Sequence, residues 1–196
     1  GYTTSAALYA GFEKAVNLGV KVILIPWATR VNSQALKKGL ELAKANGILV
    51  VAAAGDDGVF ITSTNPVYPA SFNTESTDFQ ENLLIVGAHT KQERFMQNAG
   101  PLNLTTNSGA VVDLYGLATG HDLSSPRNKH REDPHSGIAV GRLGAAVAVS
   151  VTQCEGRLSK SLILPLVKES TKLVQSLNIK LFLFSSLKSS IQNRCL

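Results

Sequence analysis

A near-continuous apolar run, "VKVILIPW" at 20–27, is followed by "SQALKKGLELAKANG" at 33–47 and then by a second apolar run, "ILVVAAA" at 48–54. Runs of this kind read as strands covered on both faces, which is the environment of a parallel sheet. The segment between them reads as an amphipathic helix: Ser33 supplies an N-cap, Ala35, Leu36, Leu40, Leu42 and Ala43 an apolar face, and Gly47 a stop. Strand, helix and strand thus fall within about thirty-five residues, the length of one βαβ crossover. That unit restricts the chain to architectures in which helices cover both faces of a mostly parallel sheet.

The rest of the sequence extends the pattern. Ala6, Ala7, Ala10, Phe12, Ala15 and Val16 recur at helical spacing ahead of Gly19. "NLLIVGAH" at 82–89 and "AVVDLYG" at 110–116 predict two further strands, and "GRLGAAVAVSV" at 141–151 a small-residue helix. Residues 158–177 are amphipathic but interrupted by Pro165. Two stretches, 56–81 and 118–135, lack a period and read as long loops. The second holds three of the four histidines and ends in "HREDPH", where no ligand spacing holds the residues on one rigid face, so no metal or cofactor is expected. The chain opens directly on helical sequence, and it is therefore expected to be a fragment whose beginning lies elsewhere.

Composition excludes more than it assigns. The net charge is +5, but the positive residues are dispersed and no aromatic-interleaved basic stripe occurs, which argues against nucleic acid and for a mildly basic surface. No uninterrupted apolar run of about eighteen residues is present, so no membrane helix is expected, and no secretory leader opens the chain. Cys154 and Cys195 have neither CxxC spacing nor adjacent histidines. One bridge between them is left open, together with the cellular compartment.

In open parallel sheets, ligands bind beyond the carboxyl ends of the strands. "GDDG" at 55–58 occupies that position after the second apolar run. "GILVVAAAGDDG" followed by "YPASF" resembles the central block of the subtilisin-like serine proteases (peptidase S8, subtilases), where "GILVVAAAGNDG" precedes "YPASY". "NLLIVGAH" is similar to the family's "NVISVGA", "RFMQNAGP" to "ASFSNYGP", "VVDLYGLA" to "VDLAAPG", and "HSGIAVGRLGAAVAV" to "GTSMAAPHVAGAAAL". The similarity runs in order from about residue 3 to 172. It implies a three-layer α/β fold, with residues 1–172 as a subtilisin-like core corresponding to the C-terminal two-thirds of the family fold and 173–196 as an extension.

The resemblance also implies where the catalytic parts should lie, and several are altered. The family's nucleophilic serine falls on Gly137, with His135 and Ser136 before it and Gly141 and Arg142 in place of the usual proline and histidine. Ser136 becomes a nucleophile only if the helix start slips by one residue, a rotation of about 100°. The family's oxyanion-binding Asn falls on Asp56; an amide NH₂ donates to a developing oxyanion, whereas an ionised carboxylate only accepts and repels it. Asp56 and Asp57 also suit a simple turn. The family's Asp and His motifs are absent from residues 1–20 and are expected on another segment or chain. Two walls that hold an extended peptide correspond to Pro26, Trp27, Ala28 and Thr29 on one side and to Ala53, Ala54 and Gly55 on the other. Proline supplies no N–H for strand pairing, and Trp27 adds bulk.

These expectations converge on a domain without proteolytic activity that acts as a binding or structural element. The alternative is the C-terminal portion of a divergent endopeptidase. The expected partner is a peptide or protein, including an N-terminal segment or a second copy that completes the sheet.

Overall fold

The computed structural model describes residues 3–90, 94–99, 103–118, 136–137, 139–141 and 161. The expected long C-terminal helices, the 173–196 extension and most of the 118–135 loop lie outside the described residues.

Helix α1 spans Ser5–Asn17, with the Thr4 hydroxyl accepting from the Ala7 amide at 3.1 Å. Helix α2 spans Gln34–Ala45, with Ser33 Oγ accepting from the Leu36 amide at 3.3 Å. Each cap satisfies one of the N–H groups that a first helical turn leaves orphaned. The two helices pack through a close approach at Gly39: a Cβ there would lie 2.2 Å from the Phe12 ring. Only a residue without a side chain lets that ring sit against α2.

Four strands, β1 (Val22–Ile25), β2 (Leu49–Ala53), β3 (Leu83–His89) and β4 (Leu114–Leu117), form a parallel sheet in the order β1-β2-β3-β4. Alternation along the strands sorts their side chains between two layers. Ile25, Val50, Ala52, Leu83 and Ile85 face Phe12, Leu36, Leu40 and Ala43 of the α1–α2 layer. Leu49, Val51, Ala53, Leu84 and Val86 face Ala139 and Val140 on the opposite side. The three-layer α/β architecture expected from the sequence is therefore present, with β2 and β3 buried along nearly all their length.

Three local expectations are revised. Strand β1 was expected to be covered on both faces; Leu24 on it is 41% exposed, and the strand ends the sheet among the described residues. The expected loop at 56–81 contains a four-residue helix, α3 (Phe72–Glu75), and a 3₁₀ turn at Thr77–Phe79. Such short elements carry no readable period. They are anchored by Phe72 and Phe79, both buried, with ring centroids 6.0 Å apart. Strand β4 starts later than its apolar run, because the Asp113 carboxylate accepts the Ile85 N–H at 2.8 Å where a strand carbonyl would otherwise do so.

Candidate functional site

The carboxyl end of β2 runs into a loop whose path depends on two left-handed glycines. Gly55 has φ +94 and Gly58 has φ +70. A Cβ on Gly55 would come within 2.6 Å of Asn107 Nδ2 and 3.1 Å of Ala28 Cβ, so this turn requires glycine on both conformational and packing grounds.

Asn107 organises this loop from across the sheet. Its Oδ1 accepts from the Asp57 and Val59 amides, each at 3.0 Å, while its Nδ2 donates to the Ala54 carbonyl at 2.9 Å. Its own backbone amide donates to the Gly55 carbonyl at 2.9 Å. The side chain is fully buried, and each amide atom has a partner. Sequence reasoning missed Asn107. The local signal, "TTNSG", marks only a turn, and the residue's partners lie about fifty positions earlier.

Asp56 points its carboxylate at the helical residues on the other side of the sheet. Oδ1 accepts from the Ser136 backbone N–H at 2.8 Å and Oδ2 accepts from the Ser136 hydroxyl at 3.0 Å. The same hydroxyl oxygen accepts from the Gly55 amide at 3.3 Å. Ser136 is 0% exposed. Its oxygen thus donates one bond, accepts another and has no face open to solvent. A carboxylate against a backbone N–H of a helical segment is a favourable charge arrangement as well as a cap. Gly137 is the next helical residue, also buried, and carries no side-chain atom.

The two walls meet near Gly55. Ala53, Ala54 and Gly55 are buried, Ala28 is half-buried, and Pro26 and Trp27 are exposed at the rim. Thr29 exchanges backbone hydrogen bonds with Tyr68 at 2.9 and 2.7 Å, which occupies its strand-pairing groups. Arg30 lies 3.6 Å from Asp57 in an exposed pair and donates to Asn65 Oδ1 at 2.6 Å, tying the rim to the loop before Pro66. The second aspartate of "GDDG" thus serves the surface, and the first reaches into the sheet.

Of the four histidines, His89 lies among the described residues; its Nδ1 donates to the Thr90 carbonyl at 2.7 Å. His121, His130 and His135 lie outside them. Among the described residues, no group of three or more His, Cys, Asp or Glu side chains is placed to hold a metal ion, and no helix is long and apolar enough to cross a membrane.

No family model matches the sequence. The chain is 28% identical over 165 residues to subtilisin DY of Bacillus licheniformis, an alignment covering 82% of this chain and 56% of that protein. The structure resembles that of the prenylagaramide maturation protease PagA with a TM-score of 0.55 and 23% identity, over 77% of this chain and 50% of that one. It also resembles a cold-adapted subtilisin-like serine proteinase with a TM-score of 0.63 and 15% identity, over 87% of this chain and 56% of that one. This chain therefore spans about half the length of the proteins it matches.

Proposed function

Starting from a chain with the subtilisin-like fold that is related to the subtilisin-like serine proteases, we propose that it does not hydrolyse peptides and acts as a binding or structural element. The observation that carries this reading is the double hold of Asp56 on Ser136. Acyl transfer needs a nucleophile beside a base, and donors aimed at the charge that develops on the carbonyl oxygen. Gly137 supplies no nucleophile. Ser136, the hydroxyl next to it in sequence, is buried and bonded on both sides. Asp56 presents an acceptor where the family presents a donor.

The exposed rim of Pro26 and Trp27 beside Ala28 and Gly55 supports a weakly held extended peptide or protein segment as the ligand. Proline in one wall limits backbone pairing to the remaining edge. Incubation with a fluorophosphonate probe is expected to leave the protein unlabelled, and peptide substrates are expected to remain intact. Labelling that maps to Ser136 and disappears in Ser136→Ala would overturn the proposal.

One observation favours a second reading, in which the chain works as part of a divergent endopeptidase whose Asp and His lie in another segment or chain. β1 is the outermost strand among the described residues, and Leu24 on it is exposed. An uncovered apolar edge is a template for pairing. An N-terminal segment or a second copy seated there would extend the sheet. Light scattering at micromolar concentration discriminates: a clean monomer argues against such pairing. Hydrolysis that appears only with an added segment, and is lost in Ser136→Ala, argues for the second reading.

A further inference from the structure

Asn103, Leu104 and Thr105 form the single Asn-X-Ser/Thr triplet in the sequence, with X other than proline. The structure places the triplet beside an antiparallel bridge. Ala99 and Leu104 exchange backbone hydrogen bonds at 2.8 and 2.9 Å, and Asn103 lies in the connection, exposed and left-handed with φ +50. Asparagine tolerates that conformation better than most residues do. Among the described residues the Asn103 amide has no hydrogen-bond partner, whereas Thr105 is held firmly: its Oγ1 accepts from the Asn98 amide at 3.0 Å, its N–H donates to the Asp56 carbonyl at 3.2 Å and its carbonyl accepts from Gly58 at 2.8 Å.

We propose that Asn103 is an acceptor site for N-linked glycosylation. The donor is an oligosaccharide carried on a polyprenyl diphosphate. The Asn103 side-chain nitrogen forms a bond to C1 of the reducing-end sugar, the C1–oxygen bond to the diphosphate breaks, and the diphosphate leaves with the electron pair while the amide nitrogen releases one proton to base. The modification is made on the extended chain, and the folded domain then has to leave the bulky product in solvent. The turn at Asn103 meets that requirement without disturbing any buried group. The glycan has a defined neighbourhood. Its root is two residues from Thr105, no more than about 7 Å along the chain, and Thr105 bridges Asp57. The sugar therefore stands beside the loop at Gly55–Gly58.

The test is translation of the full chain behind a cleavable secretory leader in the presence of microsomes. The expected result is a slower-migrating product that collapses on treatment with an N-glycosidase, with Asn103 converted to aspartate in the released peptide. Asn103→Gln and Thr105→Ala are each expected to abolish the shift, and Thr105→Ser to retain it in part. Because transfer precedes folding, a destabilised variant still reports on the site. A leader-cleaved chain without sugar, or a sugar that persists in Asn103→Gln, would overturn the proposal. Neither result bears on whether the domain hydrolyses peptides.

Discussion

Asp56 and Ser136 are joined by two hydrogen bonds across eighty residues of sequence, one to the backbone amide at 2.8 Å and one to the hydroxyl at 3.0 Å. Through this pair the loop after β2 is fastened to the helical segment on the far side of the sheet. The Asp56 carboxylate is thereby a structural acceptor.

Removing that acceptor should destabilise the fold. Asp56→Ala leaves the Ser136 backbone N–H and hydroxyl proton without their acceptor, and each orphaned donor costs about 1–3 kcal/mol. Asp56→Asn is expected to cost less, since its amide oxygen accepts from the backbone N–H and its NH₂ donates to the hydroxyl oxygen once the latter rotates. Urea titration should rank the proteins wild type, Asn, Ala in falling stability. On the proposed reading, Asp56→Asn is also expected to leave peptides intact, because Gly137 offers no nucleophile.

Asn107 should be among the most sensitive positions in the loop. Its side chain bonds the Asp57 amide, the Val59 amide and the Ala54 carbonyl. Asn107→Ala is expected to cost about 3 kcal/mol, counting roughly 1 kcal/mol for each of the three bonds. Hydrogen exchange should speed up at Asp57 and Val59 before it does so in β2. Unchanged exchange at those two amides would show that the loop holds its path without the clamp.

Packing between the first two helices supplies a third prediction. Gly39→Ala gains about 1 kcal/mol of helix propensity but drives a methyl group into the buried Phe12 ring, where overpacking costs about 1–3 kcal/mol. A net loss is expected on thermal unfolding. Combining it with Phe12→Leu should recover part of the loss, and simple addition of the two single effects would contradict the contact.

The alkaline limit of stability should depend on Tyr68. The hydrogen bond its hydroxyl donates to Glu75, followed by burial and the Glu75 charge, raises its pKa above the usual 10.0. A raised folded-state value favours the protonated form in the native protein. The contribution is therefore complete below the unfolded value and is lost as pH rises through the folded one. Tyr68→Phe should flatten the fall in stability above that unfolded value while keeping the ring contact with Phe72, whose centroid is 4.7 Å away. An equally steep alkaline limb in Tyr68→Phe would place the titration elsewhere.

Much of the sheet was legible from the chain alone. Burial on both faces forces an unbroken apolar run, so "ILVVAAA" and "NLLIVGAH" announced β2 and β3. Ser33 and Gly47 marked the ends of α2 because capping acts within a few residues. The short elements at Phe72–Phe79 were not legible, since one helical turn holds too few residues for a period. The exposed face of β1 at Leu24 was not legible for another reason: an apolar run does not say how far a neighbouring layer covers it.

At the candidate site, the identity of Asp56 and Gly137 was set by sequence, and with it the absence of a donor and of a hydroxyl at those positions. What Asp56 does instead was decided by tertiary structure. A carboxylate accepts from any N–H or O–H within reach, and only the folding of Ser136 against the carboxyl end of β2 chose which. Asn107 makes the same point: its partners are near in space and remote in sequence, and hydrogen bonding depends on the first distance alone.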